Sequence, residues 1–371
     1  MKYIILAFDK FKGSATSLEI TDAASLATHQ ACADAAVVSL PLADGGDGTM
    51  AALAATSPGR WVQVSAADAS YYLCENGTAY IEVAEADGLA RVPADKRDVM
   101  HASTLGTGTL IADAISRKCS QVVLGLGGSA SCDGGMGIMA ALGAEFVDAQ
   151  GHLLPPCGAS MSQVAQIDTS GIDPAVLGTP FTLLADVNNP LCGDNGSAAV
   201  YAPQKGATPD QVQELERGLQ HLATVVGAKN TDEPGMGAAG GVPLLMTNLL
   251  NCKMVPGARY VLEQDYIDHW LSQGMLVITG EGRLDATSFM GKATGTVARM
   301  AADYGVPVVA ICGSVAHDEV DAVAHGLFDQ IIDLMPASGD MNEAMEPMGT
   351  LQRLGDAVRQ VVKQYCRRKK A

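Results

Sequence analysis

Along the chain, short apolar runs, which are typical of strands, alternate with longer segments in which hydrophobic positions recur with helical periodicity. The pattern opens with an apolar run at Tyr3–Phe8, and it then predicts a helix over Ser17–Ala31 and a strand over 36–42. Further strands are predicted at 121–124, 181–187, 275–279, 306–312 and 328–334. Because strands alternate with helices over most of the length, we predict an α/β fold with a parallel or mixed doubly wound sheet.

The middle of the chain has a different pattern. Two strand-like runs within 60–83 flank Asn76-Gly77, which is a hairpin signal. Helices are predicted from about Gly106, at 211–226, at 292–304 and at 350–366, whereas 144–180 is irregular. No linker separates two halves, so we expect one domain inserted in the other. Residues 1–65 plus 275–371 would form a discontinuous parallel α/β domain, with the first strand in its sheet, and 66–274 an inserted mixed α/β domain.

Composition restricts the classes of function. The 371 residues include 41 Gly and are 48% hydrophobic, which suits an α/β enzyme with many tight turns. The formal net charge is −17. Nucleic acids and anionic membranes need a basic surface, so both are disfavoured as partners. We expect a small-molecule ligand and a monomer or homodimer.

Cysteine usage and the N-terminal segment indicate a compartment. The 9 cysteines form no C-x-x-C pair, which favours buried thiols in a reducing environment. The first apolar run is too short for a signal peptide, and no segment has the apolar length of a membrane span. We therefore predict a cytoplasmic protein.

Several loops share one design, in which an apolar strand is followed by Gly with Asp, Lys, Ser or Thr and then by a helix. Ligands of open α/β sheets bind at the carboxyl ends of strands. After the first strand, Lys10 and Lys12 stand two residues apart and could converge on one anion, although both could equally be solvated. Asp44 could hold a substrate hydroxyl, or it could N-cap the next helix with Asp47 in the first turn.

The loop Gly125-Leu126-Gly127-Gly128-Ser129-Ala130 follows a strand and precedes a helix. It matches G-x-G-x-x-A, with Glu145 and Asp148 about 20 residues further on, so a dinucleotide site is an alternative. The continuation Ser131-Cys132-Asp133-Gly134-Gly135 is not part of that fingerprint. A second match at 235–240 follows a loop rather than a strand, and no P-loop motif is present.

Two later segments carry further candidates. Glu281, Arg283 and Asp285 follow a strand, and Lys292 opens a helix. This set could hold Mg²⁺ together with phosphate, or its charges could simply pair with one another. Asp186 ends an apolar strand, which makes it a candidate buried catalytic carboxylate or a turn former.

Taken together, these loops resemble the glycerate kinase family of the bacterial glycerate 2-kinase type. The ordered segments that carry the resemblance lie at 9–14, 41–49, 125–135, 185–191, 202–207, 237–241 and 278–285, closed by Gly291-Lys292. They span almost the whole chain. Two departures are mild, since Phe8 stands where the family commonly has Pro, and Ser131-Cys132 replaces a frequent Thr-Asn.

The resemblance implies the family's fold: two different α/β domains, one flavodoxin-like or Rossmann-like with altered topology and the other mixed α/β, with the active site in the cleft. It also implies ATP, Mg²⁺ and phosphoryl transfer to D-glycerate, giving 2-phosphoglycerate rather than 3-phosphoglycerate. An NAD-dependent oxidoreductase using the loop 125–130 and a non-catalytic ligand-binding relative are the alternatives.

The resemblance and the loop chemistry together assign expected roles to the residues. The expected catalytic residues are Asp186, Asp44, Lys12 and Lys292. The expected substrate-binding residues are Lys10, Lys12, Ser14, Asp44 and Arg283. The expected cofactor-binding residues are Gly127, Gly128, Ser129, Asp133, Lys205 and Gly280. The expected metal ligands are Glu281 and Asp186.

Overall fold

The structure, a computed structural model, describes residues 2–324 and 326–368. In chain order its strands are β1 (Tyr3–Phe8), β2 (Ala36–Ser39), β3 (Gly59–Val64), β4 (Ala69–Cys74), β5 (Thr78–Glu82), β6 (Gln121–Gly125), β7 (Glu145–Val147), β8 (Gln166–Asp168), β9 (Phe181–Ala185), β10 (Cys252–Pro256), β11 (Gly274–Gly280), β12 (Arg283–Leu284), β13 (Val308–Cys312), β14 (Ser314–Val315) and β15 (Gln330–Asp333).

The helices alternate with these strands along the chain. They are α1 (Ser17–Ala31), α2 (Thr49–Thr56), α3 (Val83–Asp87), α4 (Leu105–Ser116), α5 (Met136–Ala141), α6 (Pro174–Gly178), α7 (Ser197–Tyr201), α8 (Pro209–Val226), α9 (Val242–Leu249), α10 (Gly257–Gln264), α11 (Ile267–Leu271), α12 (Ala293–Asp303), α13 (His317–Val323), α14 (Met341–Met345) and α15 (Pro347–Arg368). The predicted α/β class is confirmed.

Two compact units divide the chain. The first unit comprises the residues up to Asp44, Ala51–Thr56 and the residues from Ala258 on, and the second comprises Gly45–Met50 and Ser57–Gly257. The predicted domain boundaries assign residues 45–50, 57–65 and 258–274 to the other unit. The domain boundaries therefore remain a prediction.

The first unit contains a five-stranded sheet in the order β15-β13-β11-β1-β2, and every neighbouring pair in this described sheet is parallel. Counted within the unit, the order is 2-1-3-4-5, which is the flavodoxin-like arrangement. The first strand pairs with a strand of the C-terminal third, as the sequence predicts, with Ile5 opposite Val277.

Helices cover both faces of this sheet because successive residues of a strand point to opposite sides. Ile4 and Leu6 of β1 pack in one cluster with residues of α1 and α15, including Leu354. Ile5 and Ala7 pack in a second cluster with residues of α10, α11 and α12. The sheet therefore lies between two helical layers, and its strand ends carry the loops.

Local sequence explains where α1 begins. Thr16 Oγ1 accepts a hydrogen bond from Glu19 N at 3.2 Å, and Glu19 Oε2 accepts one from Thr16 N at 2.9 Å. This reciprocal capping box satisfies two of the otherwise unpaired N–H groups at the helix start. The predicted bounds of β1 and α1 are the observed ones.

The sequence predicts a strand over 36–42, but the observed strand β2 is shorter and ends at Ser39. Its pairing with β1 nevertheless continues, because Leu40 N and Leu42 N donate to Leu6 O and Phe8 O, each at 2.8 Å. Pro41 lies between these donors, at a position where this ladder needs no N–H.

The second unit contains a six-stranded mixed sheet in the order β10-β9-β6-β5-β4-β3 among its described residues. The strands from β10 to β5 run parallel, and β4 and β3 are antiparallel to their neighbours. Asn76-Gly77 makes the predicted hairpin turn between β4 and β5, with Gly77 at φ +85°. The segment 144–180 is not wholly irregular, because β7 and β8 pair there as a separate antiparallel sheet. No helix within the described part of the chain is long and apolar enough to cross a membrane.

Gly280 at the end of β11 is required by close packing between strands. A Cβ at this position would collide with the carbonyl oxygen of Ile311 on β13. We expect Gly280→Ala to lower the free energy of unfolding by about 2–3 kcal/mol, because the two paired strands must separate. Gly355→Ala in α15 is the matched control, since the nearest atom there is 3.4 Å away on the flexible Arg359 side chain. Urea unfolding should show the control neutral or stabilised, and equal losses for both variants would contradict the packing explanation.

Candidate active site

The loops after β1 and β11 lie side by side at the carboxyl ends of these neighbouring strands. Asp9 N donates to Gly280 O at 2.9 Å. A Cβ on Gly282 would lie only 3.1 Å from Lys12 N. In a 2-1-3-4-5 sheet this edge is the switch point at which ligands bind. The first unit therefore brings together two of the segments that the sequence singles out.

Three acidic side chains are buried at this edge. The exposed fractions are 7% for Asp9, 8% for Asp44 and 6% for Glu281. Burial raises the pKa of Asp9 to about 7, and the charge of Asp44 adds to that effect. Burial likewise raises the pKa of Glu281 to about 7, against the Ser288 hydroxyl and the Lys292 ammonium. Two of the three acids therefore titrate near neutral pH, where a carboxylate can exchange a proton with a ligand.

The cationic candidates of the first unit lie nearer the surface. Lys12 is exposed, and Lys10 is half-buried. Arg283 Nε lies 3.5 Å from Asp285 Oδ2, so the simple pairing that the sequence left open is present for these two residues. Lys292 Nζ donates to Thr287 Oγ1 at 2.7 Å.

Two expected site residues of the first unit, Ser14 and Gly280, have structural contacts, and the structure also tests the capping alternative for Asp44. Ser14 Oγ donates to Thr350 Oγ1 at 2.9 Å, which ties the loop after β1 to α15. Gly280 is explained by its approach to β13. Asp44 is not the N-cap of α2, because this helix begins only at Thr49. The capping alternative for Asp44 is therefore wrong, and its role in substrate binding stays a prediction.

In the second unit, the glycine loop, defined here as residues 125–135, meets the turn 45–48 at backbone distance. Gly127 N donates to Gly45 O at 3.1 Å, and a Cβ on Gly127 would collide with the Gly46 Cα. Gly128 has φ +74°, and a Cβ there would collide with the Asp47 carboxylate. Both glycines are thus needed for packing of the glycine loop against the turn 45–48.

Lys205 is the buried cation of the glycine loop. Its side chain is 4% exposed, and Nζ donates to Ser129 Oγ at 2.8 Å and to Ser131 O at 2.6 Å. Burial lowers the pKa of Lys205 to about 8, so the ammonium keeps its proton at neutral pH. Both bonded partners are neutral oxygens, and an anion such as a phosphate would stabilise this charge. The structure thus brings together two expected cofactor-binding residues that are far apart in sequence.

Asp133 is fully buried and organises the same loop from inside. Its carboxylate accepts hydrogen bonds from Thr104 N, Thr104 Oγ1, Gly135 N and Gly137 N at 2.8–3.1 Å. These four donors include amides at the start of α5, so this helix terminus is already occupied by a carboxylate. We therefore interpret Asp133 as a residue that positions the loop rather than as a direct phosphate ligand.

Asp186 follows β9 and is half-buried. Its charge contributes to the raised pKa of Tyr201, after the larger effect of burial. The Tyr201 hydroxyl donates to Asn189 Oδ1 at 2.7 Å, and Asn189 Nδ2 donates to Asn195 O at 2.7 Å. The loop after β9 is therefore held by its own side chains next to Asp186.

Comparison with known proteins decides between the functional alternatives. The model of the glycerate kinase family matches residues 4–366. The chain is 36% identical to the glycerate kinase of Haemophilus influenzae over 358 residues, which is 93% of this chain and 94% of that one. It is also 36% identical to the glycerate 2-kinase of Escherichia coli over 353 residues, 92% of each chain. The chain belongs to the glycerate kinase family.

A solved structure is similar over the whole length. The crystal structure of a glycerate kinase 2 from Salmonella typhimurium LT2 superposes with a TM-score of 0.86 at 32% identity and covers 100% of both chains. Membership of the glycerate kinase family indicates a phosphotransferase with an alcohol group as acceptor, and it implies ATP as the phosphate donor.

The geometry also disfavours the dinucleotide alternative. A dinucleotide fold needs a strand, a helix and a second strand in the same sheet. Here β7, which follows the glycine loop and α5, pairs with β8 in a separate sheet, and the neighbours of β6 are β5 and β9. Glu145 on β7 therefore lies outside the sheet that carries the glycine loop.

Sequence reasoning missed two buried acids. Asp9 was not among the expected residues, although it directly follows the first strand. Glu82, which is 5% exposed, ends β5 and accepts hydrogen bonds from Met50 N at 2.6 Å and Gly48 N at 3.3 Å. It thereby orders the turn against which the glycine loop packs. An acidic residue at the end of an apolar run is the signal that marks both positions.

Replacement of Asp133 separates a positioning role from ligand contact. We expect Asp133→Ala to lower the free energy of unfolding by about 3 kcal/mol or more, because buried donors lose their acceptor. Asp173→Ala is the control, since Asp173 caps α6 through one exposed bond to Ala175 N and its loss should cost about 1 kcal/mol. If Asp133→Ala instead kept the stability of the wild type and weakened only ATP binding, direct ligand contact would be the better explanation.

Proposed function

We propose that this protein transfers the γ-phosphoryl group of ATP to the 2-hydroxyl of D-glycerate, giving 2-phosphoglycerate and ADP. The observation that carries the assignment is the buried Lys205 ammonium on Ser129 of the glycine loop, in a chain of the glycerate kinase family. In the reaction the bond between the γ-phosphorus and the bridging oxygen breaks, and a bond from the hydroxyl oxygen to phosphorus forms.

The polyphosphate is assigned to the second unit. Phosphoryl transfer depends mainly on positioning and on neutralisation of charge. Lys205 supplies a positive charge and Ser129 supplies a hydroxyl, and Gly127 and Gly128 stay candidate contacts of the phosphates through their backbone. Lys10 and Lys292 are further candidates to offset developing charge.

The glycerate carboxylate and hydroxyl need different partners. A carboxylate is bound by cations, so we assign it to Lys12 and Arg283. The hydroxyl must lose its proton during transfer, and we assign the proton to the carboxylate of Asp186, with Asp44 as the second candidate. Ser14 is left with a supporting role, since its hydroxyl is directed to Thr350.

Mg²⁺ fits the acidic residues, although no group of three or more ligating side chains within the described residues is arranged to hold a metal ion by itself. Mg²⁺ needs only one or two carboxylates when phosphate oxygens complete its shell. Glu281 Oε1 is buried without a hydrogen-bond partner among the described residues, and Asp186 is the second candidate ligand. When bound with ATP, the ion would neutralise charge on the phosphate oxygens.

The position of the new ester tests the reaction directly. Incubation of the protein with D-glycerate, ATP and Mg²⁺ should give a product whose proton-coupled ³¹P resonance is a doublet, because the phosphorus then couples to the single C2 proton. Phosphorylation at C3 would give a triplet from the two methylene protons. Chelation of Mg²⁺ by EDTA should stop the reaction.

Two further measurements test the alternatives. Binding of ATP and glycerate in a thermal-shift assay without turnover would favour a non-catalytic relative. Glycerate-dependent formation of NADH from added NAD⁺, without consumption of ATP, would favour the oxidoreductase.

Asp186→Asn tests the proton acceptor. We expect kcat to fall about a hundredfold or more, because the amide cannot take the hydroxyl proton, while the KM for D-glycerate changes little. Asp194→Asn, an exposed position on the same loop, is the matched control and should keep the wild-type kcat. A near-normal kcat in Asp186→Asn would remove this residue from the catalytic set, and Asp44→Asn would then be the next variant to measure.

A further inference from the structure

A cavity of about 270 Å³ lies in the second unit beside the glycine loop. We call it the side cavity, and its lining residues are Leu89, Val92, Lys96, Arg97, Asp98, His101, Ala102, Ala130 and Lys205. Apart from Lys205, none of these residues has a role in the reaction described so far. The cavity is close to the lower limit of about 300 Å³ that is usual for small-molecule sites.

Backbone hydrogen bonds attach the wall of the side cavity to the glycine loop. Leu89 N donates to Gly128 O at 2.8 Å, and Ala130 N donates to Asp87 O at 2.8 Å. Gly88 and Ser129 form an antiparallel bridge between these two bonds. The wall and the loop are therefore one continuous piece of structure, so a ligand on the loop can extend into the cavity without displacing protein.

The lining has two kinds of surface. Leu89, Val92, Ala102 and Ala130 are apolar. Lys96, Arg97 and Lys205 are cationic, although the chain as a whole carries a net charge of −17. An apolar slot with local positive charge suits a ligand that joins a ring system to an anion.

Some polar side chains of the lining already have partners within the protein. His101 Nδ1 lies 2.7 Å from Asp98 Oδ2, so these two side chains of the lining pair with each other. One Arg97 nitrogen, Nη1, donates to Gln204 O at 2.9 Å, beside Lys205. Arg97 Nε is buried without a hydrogen-bond partner among the described residues. This donor is available to a polar group that the protein itself does not supply.

We propose that the side cavity binds the purine base and ribose of the nucleotide, while Lys205 and Ser129 direct its phosphates along the glycine loop. This inference rests on the proposed function, because it takes a nucleoside triphosphate as the phosphate donor. The three-carbon acceptor is too small to fill the cavity, and it has no ring for the apolar walls.

The test compares a nucleotide with a phosphate chain that lacks a base. Ala102→Phe fills the side cavity, so it should raise the Kd of a fluorescent N-methylanthraniloyl ADP and the KM for ATP by about tenfold or more. The Kd of inorganic tripolyphosphate and the KM for D-glycerate should stay within about twofold of wild type. Ala175→Phe, at an exposed position on α6, is the matched control and should change none of these values.

A second variant covers the case in which Ala102→Phe does not fold. Leu89→Ala removes part of the apolar wall, and it should weaken ADP binding severalfold without weakening tripolyphosphate binding. If the binding of ADP and of tripolyphosphate were weakened equally, the cavity would act on the phosphates rather than on the nucleoside. If only the KM for D-glycerate changed, the cavity would bind the acceptor. Either result would overturn the proposal.

The outcomes separate this inference from the proposed function. If the wild-type protein binds ADP through Ala102 but does not phosphorylate glycerate, the nucleoside site stands and the proposed reaction fails. If the protein phosphorylates glycerate and Ala102→Phe binds ADP as well as wild type does, the reaction stands and the nucleoside site fails.

Discussion

The buried ammonium of Lys205 is the interaction on which the second unit's site depends. The Lys205 ammonium loses its hydration on burial, and its hydrogen bonds to Ser129 Oγ and Ser131 O replace part of it. The side chain comes from the short 3₁₀ helix Pro203–Lys205, which ends at Gly206 with φ +96°. A Cβ on Gly206 would lie 2.8 Å from Arg97 O. The same turn that delivers the ammonium to Ser129 therefore also brings Arg97 against it. The Lys205 ammonium is therefore held in place before an anion binds. Transfer of a charged group requires this kind of preorganisation.

The first unit buries acidic side chains, whereas the second unit buries a lysine. Asp9 and Glu281 follow adjacent parallel strands, so the sheet forces their side chains toward one edge. Burial disfavours the ionised form of both carboxyl groups, and the charge of Asp44 raises the pKa of Asp9 further. Such a set of acids is most stable when it shares protons or when cations approach it. The lysines and the arginine of the neighbouring loops provide cations at that edge.

Short-range sequence patterns were sufficient to predict those elements whose structure depends on residues close together in the chain. The bounds of β1 and α1 follow from an apolar run and from the Thr16–Glu19 capping box, and both were predicted correctly. The pairing of Lys205 with Ser129 could be expected only from the family resemblance, because the two residues are 76 positions apart. The role of Asp133 could not be predicted, since its decisive donors belong to Thr104 at the start of another helix. The side cavity lies in a segment without periodic pattern, whose shape depends on bonds such as that from Leu89 to Gly128.

The position of β1 has a consequence for biosynthesis. β1 precedes β11 by about 270 residues in the chain, yet it lies in the interior of its sheet, between β2 and β11, which begins at Gly274. At translation rates of about 5–20 residues per second, β1 waits on the order of ten seconds or more for that partner. The second unit is encoded almost entirely between these two strands, so its chain is complete before the first unit can close its sheet. Until then the edge of β1 that faces β11 is unpaired, and unpaired strand edges favour aggregation during folding.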